Sequence, residues 1–253
     1  MTGLRTVSAT RYVTPLREGG SLPALVEADD DGLYVVKFRG AGQGPLALVA
    51  EVIAGALGRA LGLPVPELVL VELDPDLGRA EPDAEIQDLL LASGGLNLGM
   101  DFLPGALPYS PASSQQPSAE LAAELVWFDA VTQNVDRTAR NPNLLWWHEQ
   151  LWAIDHGAAL VAQHAGLAGA AGRAFPAISD HVLLPFAGSL VAADERLSGR
   201  VGREEVVRIV GLVPEAWFTG DGAGAYIEHL VGRLAGSRRL ADEAEEARVG
   251  RAA

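Results

Sequence analysis

The sequence predicts an α+β chain of two lobes, with an antiparallel-sheet N-lobe and a mostly helical C-lobe. Three observations carry that prediction. Turn signals at residues 17–21 and 28–32 divide three extended runs into an antiparallel meander. A long apolar helix follows, bounded by a glycine-rich loop and by Gly62-Leu63-Pro64. Beyond a Pro/Ser/Gln-rich loop that ends at Pro117, the pattern has mostly helical period. The implied divisions are an N-lobe over 1–103, an inter-lobe loop over 104–117, a helical C-lobe over 118–235 and a charged tail over 236–253.

Taken in order, residues 11–16 and 22–27 read as extended, and 33–38 as a β-branched and aromatic strand. The helix over 45–61 starts on Pro45, a residue suited to the first helical position. Val49, Ile53, Ala56, Leu57 and Ala60 give it an apolar stripe. Residues 67–73 form another strand, 74–95 are acidic and mixed, and 96–102 return to an extended pattern. Ser118, with Glu120 in the first turn, caps a helix that runs to about residue 133. A polar loop over 134–143 leads into a tight hairpin of residues 144–147 and 151–154. Further helices are predicted near 185–193, 203–210 and 224–234, and the tail from Gly236 reads as a frayed or disordered end.

Composition excludes several classes. Of 253 residues, 49% are hydrophobic, enough for a core and against disorder. The formal net charge of −14, with no dense basic run, opposes nucleic acid and anionic lipid as partners. No apolar run reaches the roughly eighteen residues of a membrane span, and the N-terminus lacks a signal-peptide pattern. The absence of cysteine removes disulfides, thiol nucleophiles and cysteine-ligated zinc, and fits a cytoplasmic protein.

The chain has eighteen Arg and a single Lys, Lys37, on the third strand. Arg and Lys exchange freely on a solvated face, but not where a compact ammonium must sit beside phosphate oxygens. Alternation turns Lys37 to the face opposite Val36 and Phe38. Glu51 is the only charged residue between Gln43 and Arg59, on a face of small residues with Ala47, Ala54, Gly55 and Gly58. A carboxylate there can pair with Lys37, although the helical wheel sets it opposite the apolar stripe.

Further on, Asp136 and Asn141 stand five apart in the polar loop, and Asp155 ends the hairpin as Asp155-His156-Gly157. Phosphoryl transfer from ATP needs positioning and charge neutralisation more than covalent chemistry. Mg²⁺ takes one or two protein oxygens and fills its shell with phosphate and water, so Asn141 and Asp155 suit it. Asp136 is then free to orient a hydroxyl and accept its proton. Gly157 allows a sharp turn after the metal ligand. Gly19, Gly20 and Ser21 can cover phosphates with backbone N–H groups.

These residues resemble a known family, the HipA-like kinases, relatives of the toxin kinase of bacterial toxin–antitoxin pairs. They belong to the broader protein-kinase-like and phosphatidylinositol-kinase-like fold. The resemblance lies in Asn134-Val135-Asp136-Arg137 through Asn141 with Leu144-Leu145, in Ile154-Asp155, in Lys37, and in the run from Ala60 to Val65, over roughly residues 15–220. It implies a bilobal protein-kinase-like fold and an ATP- and Mg²⁺-dependent phosphotransferase acting on a hydroxyl of a protein or small molecule. It implies Asp136 as catalytic base, Asn141 and Asp155 as metal ligands, and Lys37 as the phosphate lysine. Residues 99–102, with Met100, Asp101 and Phe102, become a hinge that bonds adenine through backbone groups. The chain is much shorter than the toxin kinases, so antitoxin binding is not implied, and the Gln and Lys expected after the phosphate-loop glycine are missing.

Other readings compete. One is an ATP-binding pseudokinase acting as a regulatory module, another a phosphatidylinositol-type lipid kinase. A metal hydrolase built on His148, Glu149, Asp155 and His156 lacks the His-Glu-x-x-His spacing. Asp180-His181, Glu204-Glu205 and Asp221 are candidates to line an acceptor cleft, and the five Trp read as core or lobe-interface aromatics.

Overall fold

Residues 24–28 and 33–37 alternate between buried and half-buried, the period-two signature of strands with one face on a core. In the structure, a computed structural model describing residues 3–16, 22–42 and 44–252, they are two strands of a five-stranded barrel. Its strands are β1 (Thr6–Pro15), β2 (Ala24–Ala28), β3 (Leu33–Lys37), β4 (Leu68–Leu73) and β5 (Gly95–Asp101), closed in the order β1-β2-β3-β5-β4. Neighbours are antiparallel except β1 and β4, which pair in parallel from Thr6↔Leu70 to Ser8↔Glu72. That closing contact uses the start of β1, ahead of the extended run 11–16 that the sequence predicts. Val7 is the one fully buried residue of β1, so its apolar signal is weak.

Val7, Val26, Val36, Val69 and Val71 pack together, and Ile86 and Leu90 join them. The latter two lie on a helix within the acidic, mixed stretch 74–95, for which the sequence pattern predicts no element. Of the helices, α1 (Gly44–Leu61) comes first and α2 (Ala84–Ala92) second, capped by the Asp83 carboxylate on the Glu85 N–H. Only Ile86 and Leu90 are buried on α2, too few to give a strong helical period.

By length and composition α1 is apolar enough to cross a membrane, which corrects the expectation that no such run exists. It is mostly buried inside the protein, as the core helix of a folded domain. Its side chains share one core with the helices that follow: α3 (Ala119–Thr132), α4 (Leu190–Leu197), α5 (Arg203–Val210) and α6 (Ala223–Ala235). Ser118 caps α3 through its hydroxyl on the Leu121 N–H, as predicted. A small sheet joins β6 (Leu107–Pro108) to the hairpin of β7 (Leu144–Trp147) and β8 (Gln150–Ala153).

Two helical expectations need correction. The helix placed near 185–193 begins only at Leu190, because the Gly188 N–H bonds to Ala119 O and Ser189 then caps the Ala192 N–H. The tail is not frayed: α7 (Ser237–Ala252) packs on α3 and α4 and buries Leu240, Ala241 and Ala244. Alanines carry that contact, and they add little hydropathy for a pattern to reveal.

Candidate active site

β3 points Val36 and Phe38 into the barrel and Lys37 out of it, as alternation requires. The Lys37 Nζ lies 2.7 Å from Glu51 Oε2 and 2.5 Å from Asp155 Oδ1, so three chain segments meet on one ammonium. Glu51 is fully buried, and its Oε1 has no hydrogen-bond partner among the described residues. The helical wheel misleads here because α1 is buried on nearly every side and has no solvent face at Glu51. Its small residues instead admit the Asp155–Gly157 turn. A Cβ at Gly55 would stand 3.8 Å from the His156 ring. A Cβ at Gly157 would stand 3.3 Å from Glu51 Oε2 and 3.7 Å from Ala47 Cβ.

Charge in this cluster follows from geometry. Burial works to lower the Lys37 pKa, but Glu51 and Asp155 together outweigh it and hold the ammonium above its ordinary value. Burial likewise works to raise Asp155, and Lys37 prevails and holds it below the usual carboxylate range. At Glu51 burial wins over Lys37, with Asp155 adding repulsion, and the carboxyl is raised.

The second half of the site is the polar loop. Gln133, in the left-handed region at φ 56°, ends α3 and turns the chain into it. The Asn134 amide oxygen accepts from the Asp136 N–H at 3.1 Å. Asp136 Oδ2 accepts from Asn141 Nδ2 at 2.7 Å and from Asn143 Nδ2 at 3.4 Å. The Asn141 amide is thereby oriented, and its oxygen accepts no hydrogen bond from the described residues. Asp155 itself takes the strained turn at φ 53°, whereas Gly157 has no positive φ. The predicted reason for Gly157 is therefore replaced: its missing side chain makes room for Glu51.

Beneath both loops runs a buried polar frame that the sequence pattern does not reveal. Arg137, 1% exposed, donates to Asp129 Oδ2 at 2.6 Å, to Asn143 O, to Ile154 O at 3.2 Å and to His156 Nδ1 at 3.2 Å. One guanidinium thus fixes α3, the Asp136 loop and the Asp155 turn together. His181 Nδ1 accepts from the Leu183 N–H, so its Nε2–H donates to Asp129 at 2.9 Å. Against the cost of burial, Arg137 and His181 hold Asp129 down to about 2. His156 is pushed down to about 3 by burial, with Arg137 adding to it, and stays neutral. The signal for Asp129 was present: it is the one acid in the unbroken buried run 125–132 of α3.

Lys37, Glu51, Asn141, Asn143 and Asp155 line one cavity of about 670 Å³, along with apolar Val35, Leu98, Met100, Leu145 and Ile154. Asp136 is not on its wall but is bonded to two residues that are. The expected hinge residues Met100, Asp101 and Phe102 line this cavity too. The Asp101 N–H bonds to Glu67 O and the Phe102 N–H to Leu33 O, so the barrel already uses both donors. The Leu103 N–H, just beyond, makes no backbone hydrogen bond among the described residues, and Leu103 lines the same cavity. Gly19, Gly20 and Ser21 lie outside the described residues.

Three of the five candidates for an acceptor cleft are engaged elsewhere. His181 is buried in the frame, Glu205 pairs with Arg208, and Asp221 accepts from the Leu167 N–H. Trp127 is core, its Nε1 donating to Asp194, whereas Trp146, Trp147 and Trp152 of the hairpin are only half-buried. Among the described residues no three His, Cys, Asp or Glu gather as a metal cage. An amide oxygen and one partly free carboxylate match a hard cation that completes its shell with phosphate and water.

A sequence model of HipA-like kinases matches residues 10–229. No curated protein matches the sequence significantly. Among solved structures, the chain is similar to a Helicobacter pylori proinflammatory kinase, CtkA. The TM-score is 0.58 at 14% identity, over 97% of this chain and 99% of that one. It is also similar to a Golgi casein kinase with Mn/ADP bound, at a TM-score of 0.54 and 12% identity, over 98% of this chain and 74% of that one. At such identities the likeness shows a shared kinase-like fold.

Proposed function

This chain belongs to the HipA-like kinase family, and from that premise we propose that it is an active, ATP- and Mg²⁺-dependent kinase. It would transfer the γ-phosphoryl group to a hydroxyl. One observation carries the reading: the single lysine, a buried glutamate, the Asp155 turn and the Asp136–Asn141 pair converge on one cavity. The barrel with α1 and α2 forms one lobe, the helices from α3 onward the other, and the cavity is the cleft between them.

Each residue has a role in this scheme. Val35, Met100, Leu145 and Ile154 enclose the adenine, and the Leu103 N–H with the Asp101 carbonyl reads its edge. Lys37, positioned by Glu51, holds the nucleotide phosphates. Asn141 Oδ1 and Asp155 would hold Mg²⁺, which when bound offsets phosphate charge. Asp136, oriented by Asn141 and Asn143, accepts the acceptor proton as the hydroxyl oxygen bonds to the γ-phosphorus. The bond from that phosphorus to the β-bridging oxygen breaks, and ADP leaves with the electron pair.

A melting curve with ATP, with and without Mg²⁺, tests binding, and labelled ATP with a mixed acceptor pool tests transfer. The wild type should show a Mg²⁺-dependent shift and labelled product. Asp155→Asn should lose the metal-dependent part, and Asp136→Asn should bind but not transfer. No shift with any nucleotide would refute the proposal, and a shift without transfer in the wild type would favour a pseudokinase.

A further inference from the structure

Among the arginines whose side chains are described, all but Arg39, Arg140 and Arg173 bond a carboxylate or a backbone carbonyl through the guanidinium. Unspent cations stand out on a chain of net charge −14, where acids outnumber bases. Arg140 has the most informative position. It precedes Asn141 and follows Asp136 by four residues.

The loop sorts its side chains between two sides. Asn141 and Asn143 line the cavity and hold Asp136. Arg140 is exposed and is not among the residues lining that cavity. Its charge therefore stands on the solvent side of the loop, where a second substrate reaches Asp136, and not against a nucleotide inside. On the other flank of Asp136 lies Val135, an apolar side chain 39% exposed. Open flanks of this kind suit an extended chain passing over Asp136 better than a small molecule enclosed on all sides.

Building on the kinase reading above, we propose that Arg140 is a specificity residue and that the acceptor is a hydroxyl in an acidic peptide segment. A carboxylate near the acceptor Ser or Thr would pair with the free guanidinium. A basic neighbour would be repelled there.

The test uses the full chain, Mg²⁺ and labelled ATP with three sets of Ser/Thr peptides, flanked by Asp/Glu, by Ala/Gly or by Lys/Arg. Wild type should prefer the acidic set. Arg140→Ala should raise KM for that set roughly fivefold, the scale of an exposed ion pair, with little change for the neutral set. Arg140→Glu should shift preference to the basic set while keeping the Mg²⁺–ATP melting shift. Arg39→Glu, on the barrel side, should leave the preference unaltered. Equal use of the three sets, an unaltered preference in Arg140→Glu, or the same change in Arg39→Glu would overturn the proposal. So would ATP turnover without transfer to acid-flanked hydroxyls, and that result leaves the kinase reading standing. Loss of nucleotide binding in the wild type removes both.

Discussion

Lys37 and Glu51 stand 14 residues apart in the chain, yet Nζ lies 2.7 Å from Oε2, with the carboxylate fully buried. The pair links a barrel strand to the core helix and sets the ammonium against Asp155. Glu51→Gln keeps the shape and removes the charge. Lys37 then has Asp155 as its only carboxylate and is drawn towards it. Turnover should fall more than about tenfold, consistent with about 1.4 kcal/mol or more of lost positioning. Steady-state kinetics beside a circular dichroism spectrum check this, and wild-type turnover in the variant would contradict the assigned role.

Arg137 should be the most sensitive frame residue. Arg137→Met leaves Asp129 buried without a cation, bonded only to His181 and Asn134, and should cost about 3–5 kcal/mol. The double variant with Asp129→Asn should be less destabilised than the single one, since no buried charge is stranded. Urea unfolding of both variants decides the point. Equal stability of the two would mean the guanidinium's carbonyl bonds, not the ion pair, dominate.

Acid should weaken the fold through histidine before carboxylates respond. His156 and His229 ionise at about 3 and about 4 in the fold, against 6.5 as the ordinary value. Below pH 6.5 the unfolded chain binds these protons and the folded chain does not. Their stabilising contribution is therefore full above pH 6.5 and is lost progressively as pH falls towards 3. The slope is about 1.4 kcal/mol per pH unit for each ring. Urea midpoints measured between pH 7 and 5 should decline, and the decline should be shallower in His156→Asn. A flat profile would show that neither ring is held neutral by burial.

Gly157→Ala places a methyl group 3.3 Å from Glu51 Oε2 and 3.6 Å from Asp155 Oδ1. The backbone there has no positive φ, so the change introduces crowding and not strain in the turn. Nucleotide-dependent melting shift should shrink while the unliganded melting temperature moves by only a few degrees. A large drop in the unliganded melting temperature would instead assign Gly157 to folding.

Much was legible beforehand because it is written in local chemistry. The Asp-Gly turn, the alternation that turns Lys37 out of the barrel, the Ser118 cap and the Leu144–Ala153 hairpin depend on residues within a few positions of each other. The ordered run of Lys37, Asp136, Asn141 and Asp155 was visible too, because these residue types carry the chemistry themselves. Barrel closure by β1 on β4 was not legible, since all of β1's side chains but Val7 are exposed or half-exposed, and the contact rests on its backbone and that one side chain.

What the sequence determined by itself is the inventory: one lysine, the oxygen-bearing side chains in a fixed order, and elements of known period to carry them. The tertiary structure alone decided which of them share a space. Whether Glu51 faces solvent or Lys37 depends on what covers α1, and Asp155–Gly157 cover it from 104 or more positions away along the chain. Burial and hydrogen-bond partnership are properties of such distant contacts. For that reason Asp129, Arg137 and His181, ordinary polar residues in the sequence, became the frame of the site only once the chain had closed around them.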